Sequence, residues 1–104
     1  MYKEIYQLAT RIPKRDRYGI HAQIENMCLE MITLSIESSL TPKQNKVQPL
    51  ETLRTKTEVI KQLIRIANEV NVYTDKTYMV LQERLQEISK MTNGWLKYVK
   101  QNPA

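Results

Sequence analysis

The stretch whose reading decides the fold is Ile12 to Leu40, IPKRDRYGIHAQIENMCLEMITLSIESSL. Within it Ile20, Ile24, Met27, Cys28, Met31, Leu34 and Ser35 recur at steps of three and four residues, which sets their side chains on one face of an α-helix. That face needs cover. No proline interrupts the chain from Lys14 to Leu40, and at ~1.5 Å per residue one continuous helix over this range would run roughly 40 Å. The other segments are expected to pack along it. A second apolar line, Leu29, Ile32 and Ile36, makes the apolar surface wider than one neighbouring helix covers. It reads either as contact with several helices of one bundle or as a subunit interface.

Upstream, Tyr2 to Ile12 carries the stripe Ile5, Leu8 and Ile12 and predicts a short first helix ending at Pro13, which disfavours α geometry in the residue before it. Downstream, Thr41 to Gln48 is polar, contains Pro42 and reads as the longest loop. Pro49 suits the first turn of a third helix, whose inward line is Leu50, Leu53, Thr57, Ile60, Leu63 or Ile64, and Ala67, broadened by Val59, Ile66 and Val70. Asn71 tolerates the left-handed conformation that closes a helix, and Thr74 is suited to cap the next one. The fourth helix, about Asp75 to Val99, has Tyr78, Leu81, Leu85, Ile88, Met91 or Thr92, and Trp95 on its inward line. Gly94 is expected to interrupt it near the end, and Gln101 to Ala104 to fray.

With 104 residues, two glycines and no window of sustained apolar–polar alternation, the chain reads as one all-α domain over residues 1–104. A chain of this length buries about 60 to 65% of its unfolded surface without needing disulfide or metal support. Four helices with short connections make an antiparallel up-and-down four-helix bundle the economical architecture. Met1 to Thr10 lacks the apolar core of a signal peptide, and the single cysteine offers no intramolecular disulfide, so a cytoplasmic location is expected. No apolar run approaches the ~18 residues of a membrane span. The net charge of +5 suits an anionic partner.

Catalytic chemistry finds little support. His21, the only histidine, sits at the edge of the second helix as a surface or partly packed residue, and Cys28 falls on the core stripe. Glu25, Glu83 and Glu87 lack a Glu-x-x-His partner, so no metal, cofactor or enzyme activity is expected. The cations carry more information. Arg54, Lys61 and Arg65 share a stripe of the third helix, and Lys90 and Lys97 align on the fourth, with Lys100 continuing the basic end. These read either as ordinary salt-bridged faces, since Glu58 lies within the first stripe, or as a track for a phosphate backbone. Lys14, Arg15 and Arg17 crowd the corner after Pro13 in the same two-sided way. Tyr2, Tyr6, Tyr73 and Tyr98 either stack on exposed bases or cap the bundle ends.

Three segments carry a family resemblance: Ile12-Pro13-Lys14 with Arg17-Tyr18-Gly19, the run Leu63-Ile64-Arg65-Ile66-Ala67, and the ending Ile88-Ser89-Lys90-Met91-Thr92-Asn93-Gly94-Trp95-Leu96. In their order and spacing the chain resembles the accessory variability determinants (Avd) of diversity-generating retroelements, and their relatives, the four-helix proteins of ribosomal-RNA intervening sequences. The third segment favours the Avd branch. Ile12 stands where phenylalanine is commoner, and Asn93 where the ending is usually Gly-Gly-Trp. The resemblance implies a homopentamer of four-helix bundles whose basic surface binds RNA or DNA. It also implies association with a reverse transcriptase and a non-catalytic role in cDNA synthesis during mutagenic retrohoming. The matching basic positions it brings forward are Arg54, Lys61, Arg65, Lys90 and Lys97. The alternative it leaves open is a structural or protein-interaction bundle of the intervening-sequence type, without a specific nucleic-acid role.

Overall fold

A computed structural model describes residues 1–101, and among these the regular structure is entirely helical. The helices are α1 (Tyr2–Leu8), the single turn α2 (Lys14–Arg17), α3 (Ile20–Leu40), α4 (Val47–Glu69) and α5 (Asp75–Gln101), with 3-10 turns at Ala9–Arg11 and Lys43–Asn45. Short connections make α3, α4 and α5 successively antiparallel in a rod of 50 × 20 × 17 Å. Helix α4 packs on both of its long neighbours, while α1 lies over α3 and reaches α5 through the Glu4–Arg84 ion pair at 3.1 Å. The result is a helical bundle in which the first helix is much shorter than the other three.

The core follows the helical stripes. Ile24, Cys28 and Met31 of α3 meet Leu50, Leu53, Ile60, Ile64 and Ala67 of α4 and Leu81, Leu85, Leu96 and Val99 of α5, with Ile5 and Ile12 closing one end. Burying each such Leu or Ile contributes roughly 1.5–3 kcal/mol. On α4 the expected inward line holds throughout, with Ile64 rather than Leu63 fully buried. On α5 the line drifts to Thr92 and Leu96, leaving Trp95 half-buried and Met91 exposed. Ser35, expected on the inward face of α3, is exposed, and Ser38 is buried in its place.

The long helix expected from Lys14 to Leu40 is broken. After one turn the chain leaves helical geometry at Gly19 (φ −100°, ψ −116°), whose amide donates to the carbonyl of Asp16 at 3.2 Å. A Cβ here would lie 3.1 Å from the Arg15 carbonyl oxygen, so glycine lets the two turns close on each other. The Arg17 guanidinium donates to the Ile12 carbonyl at 3.2 Å and ties the corner down. The first helix also ends early, its last turn tightening to 3-10 before the extended Ile12 that precedes Pro13.

The other turns keep to their expected chemistry. Asn71 takes φ 63°, and the Val72 and Tyr73 amides return to the Ala67 carbonyl at 2.8 and 3.1 Å. Thr74 Oγ1 accepts from the Thr77 amide at 3.2 Å and caps α5. Between α3 and α4 the Lys46 ammonium donates to the Ser38 and Ser39 carbonyls, which satisfies the end of α3. α4 starts at Val47, inside the expected loop. Gly94 does not interrupt α5: the helix continues to Gln101, and no neighbour lies within 4 Å of where a Cβ would stand. Of the stretch expected to fray, Gln101 is helical and the rest lies outside the described residues.

Candidate nucleic-acid interface

Along the seam between α4 and α5, one helical step from the buried line of each, polar side chains face one another. Gln82 of α5 donates to the Lys61 carbonyl at 3.2 Å, and Lys100 bonds Glu51 at 2.7 Å. This seam receives much of the basic stripe read from the sequence, and it divides the five cations into two groups.

Arg54, Lys61 and Arg65 of α4 are each paired with an acid on their own helix. Arg54 holds Glu51, Lys61 holds Glu58 at 3.1 Å, and Arg65 holds Glu69 at 3.3 Å. Glu51 accepts from Lys100 as well as Arg54, and these contacts, Lys100 first, hold its carboxyl below the usual carboxylate range. Lys90 and Lys97 of α5 are exposed and have no acidic partner among the described residues. Seven residues apart, they project from nearly the same direction of the helix, two turns from each other.

A second basic group lies at the end of the bundle where α3 stops and α4 begins. Lys43 sits 4.5 Å over the ring of Tyr98, and Lys46 lies 5.5 Å from the centre of the Trp95 ring. Spacing could not have revealed these pairs, because each cation meets an aromatic residue about fifty positions away across the fold. Of the tyrosines singled out, Tyr6 and Tyr98 are exposed, Tyr2 is half-buried, and Tyr73 is buried and closed to stacking.

His21 is fully buried, not on the surface. Its Nδ1 lies 2.8 Å from the Tyr73 hydroxyl, and its Nε2 lies 3.6 Å from a Glu25 oxygen. Burial lowers its pKa, opposed by Glu25 and reinforced by Arg17. Burial likewise raises the Tyr73 pKa. Cys28 is buried in the core, where burial raises the thiol pKa and removes thiolate character. No cluster of metal-ligating side chains occurs among the described residues, and no helix there is long and apolar enough to cross a membrane.

On the opposite side, α1 covers only part of the space between α3 and α5. The uncovered part is an apolar groove of about 250 Å³, lined by Met31, Ile32, Ile88, Met91 and Trp95 with Met1 at its edge. Beside it the second apolar line of α3 stands open to solvent, with Leu29 and Ile32 each 42% and Ile36 55% exposed. Within this chain, therefore, the neighbouring helices leave that line uncovered.

In comparison with known protein families, the model of a family described as bAvd-like matches residues 1–99. No curated protein and no solved structure matches the chain.

Proposed function

Because the chain belongs to the bAvd-like family, we propose that it is a non-catalytic nucleic-acid-binding accessory of a diversity-generating retroelement. In this role it associates with a reverse transcriptase and template RNA and supports cDNA synthesis in mutagenic retrohoming. The observation that carries the reading is the pair Lys90 and Lys97, exposed on one face of α5 without acidic partners among the described residues. Free ammonium groups in line can neutralise successive phosphates and release their counterions, whereas Arg54, Lys61 and Arg65 must first exchange a carboxylate for a phosphate.

The polymerase supplies the chemistry and this protein supplies charge and position. Self-association would repeat the lysine row around a ring and multiply a modest patch into a strong one. The exposed line Leu29, Ile32 and Ile36 and the adjoining groove support such an assembly, and a homopentamer is the form the family resemblance favours.

The test is binding to structured RNA and to duplex DNA over a salt series, with mass in solution measured alongside. A ring-sized particle whose log affinity falls steeply with log salt is the expected outcome. The double variant Lys90→Glu, Lys97→Glu should flatten the salt slope by roughly 2 and weaken binding to every sequence alike. Absence of binding at low salt overturns the reading. One observation favours a second reading, a purely structural bundle: three of the five cations are already satisfied by acids on their own helix.

A further inference from the structure

Between the two free lysines of α5, the seam opens into a notch of about 270 Å³ lined by Arg54, Thr55, Glu58, Ser89, Thr92 and Asn93. We propose that this notch receives an unpaired nucleobase of a bound single strand, with Lys90 and Lys97 holding the flanking phosphates. The inference rests on the nucleic-acid reading above and assigns to it a site that distinguishes single strands from duplexes.

The side chains of Thr55, Ser89, Thr92 and Asn93 make no hydrogen bond among the described residues, and Ser89 Oγ is buried without a partner. Four unbonded polar groups gathered around one opening, one of them desolvated, form an arrangement that a ligand with several donors and acceptors would complete. Thr57, buried at the floor, has its hydroxyl bonded to the Leu53 carbonyl at 2.8 Å and so adds none.

Arg54 and Glu58, the ionic members of the lining, are already engaged, with Glu51 and Lys61 respectively. The notch therefore presents neutral amide and hydroxyl groups, bounded by one paired guanidinium and one paired carboxylate. That composition offers no net positive charge to a phosphate and matches the edge of a heterocycle, which carries both donors and acceptors. The uncommitted positive charge stands outside the notch, three residues before Asn93 at Lys90 and four after it at Lys97, on the same side of the helix.

At about 270 Å³ the open notch lies near the lower end of the ~300–1,000 Å³ range of small-molecule pockets and has room for a planar heterocycle. In a duplex the Watson–Crick edges are paired and the bases stacked, so only a splayed base can enter.

The experiment uses the purified full chain with fluorescein-labelled 15-nucleotide RNA as a single strand, as a duplex, and as a single strand bearing abasic sites. Asn93→Ala removes an exposed, unbonded amide, and Ser89→Val fills the notch without changing charge. Each should weaken single-strand binding about fivefold, as expected for loss of hydrogen bonds to neutral groups. Duplex affinity and the salt slope should be unchanged, and the abasic strand should bind wild type and variants alike. If intact single strands bind the variants as well as wild type, or the variants lose duplex and single-strand affinity together, the notch assignment is overturned while nucleic-acid binding stands. If wild type binds none of the three RNAs at low salt, the nucleic-acid reading falls and takes the notch with it.

Discussion

At His21 a single proton decides a hydrogen bond between distant parts of the chain. The neutral ring can accept from the Tyr73 hydroxyl at Nδ1 while Nε2–H faces Glu25; once Nδ1 is protonated it must donate, and that bond has to reverse. Burial lowers the folded-state pKa, so the unfolded chain binds more protons as the pH drops. Stability is therefore full above the ordinary histidine range, near 6.5, and declines as pH falls through it. Because His21 is the only histidine, comparing urea unfolding at pH 7 and pH 5 between wild type and a His21 variant separates its contribution from that of the carboxylates. We expect a lower midpoint at pH 5 in the wild type and a smaller difference in His21→Gln. The burial of this ring was not legible in the sequence: its partner lies 52 residues away, and position 21 falls beside the apolar stripe that the spacing marks. Asn71 and Thr74 were legible, because a left-handed helix end and an N-cap are local chemistry. Thr74→Ala should cost about 1 kcal/mol in equilibrium unfolding.

At the scale of helices, periodicity served best where the apolar face was narrow. On α4 the steps from Leu50 to Ala67 point at a single buried line, and that line is the core. On α5 the buried positions Leu81, Leu85, Thr92, Leu96 and Val99 follow the 3.6-residue period. Extrapolating by shorter steps reaches Trp95 instead, which the fold leaves at the rim of the groove. The two glycines reverse their expected roles for a physical reason. Gly19 permits a backbone approach that a Cβ would crowd, and it breaks a helix that the apolar spacing carries through. Gly94 stands in open space within an unbroken helix. Gly94→Ala should therefore raise stability by up to about 1 kcal/mol, seen as a higher thermal midpoint. Of the candidate interface, spacing located the cations but could not separate paired from free. That distinction depends on rotamers and on acids one turn away.

For the molecule as a whole, the unsettled surface is the apolar side of α3. Ile32 and Ile36 reach solvent beside an open groove, an arrangement suited to contact between copies. Ile36→Glu should leave helicity intact and shift the mass in solution toward the monomer, and sedimentation would register the change. The chain's two long antiparallel interfaces both involve α4 and join neighbours in sequence, so most native contacts close short loops. Folding should be fast, in the microsecond-to-millisecond range of helical bundles, with α4 as the template on which α3 and α5 condense. Helix α1, seven residues long and packed chiefly on α3, has the least to hold it. Its amides should exchange with deuterated solvent well before those of the long helices, marking the first cooperative unit to open.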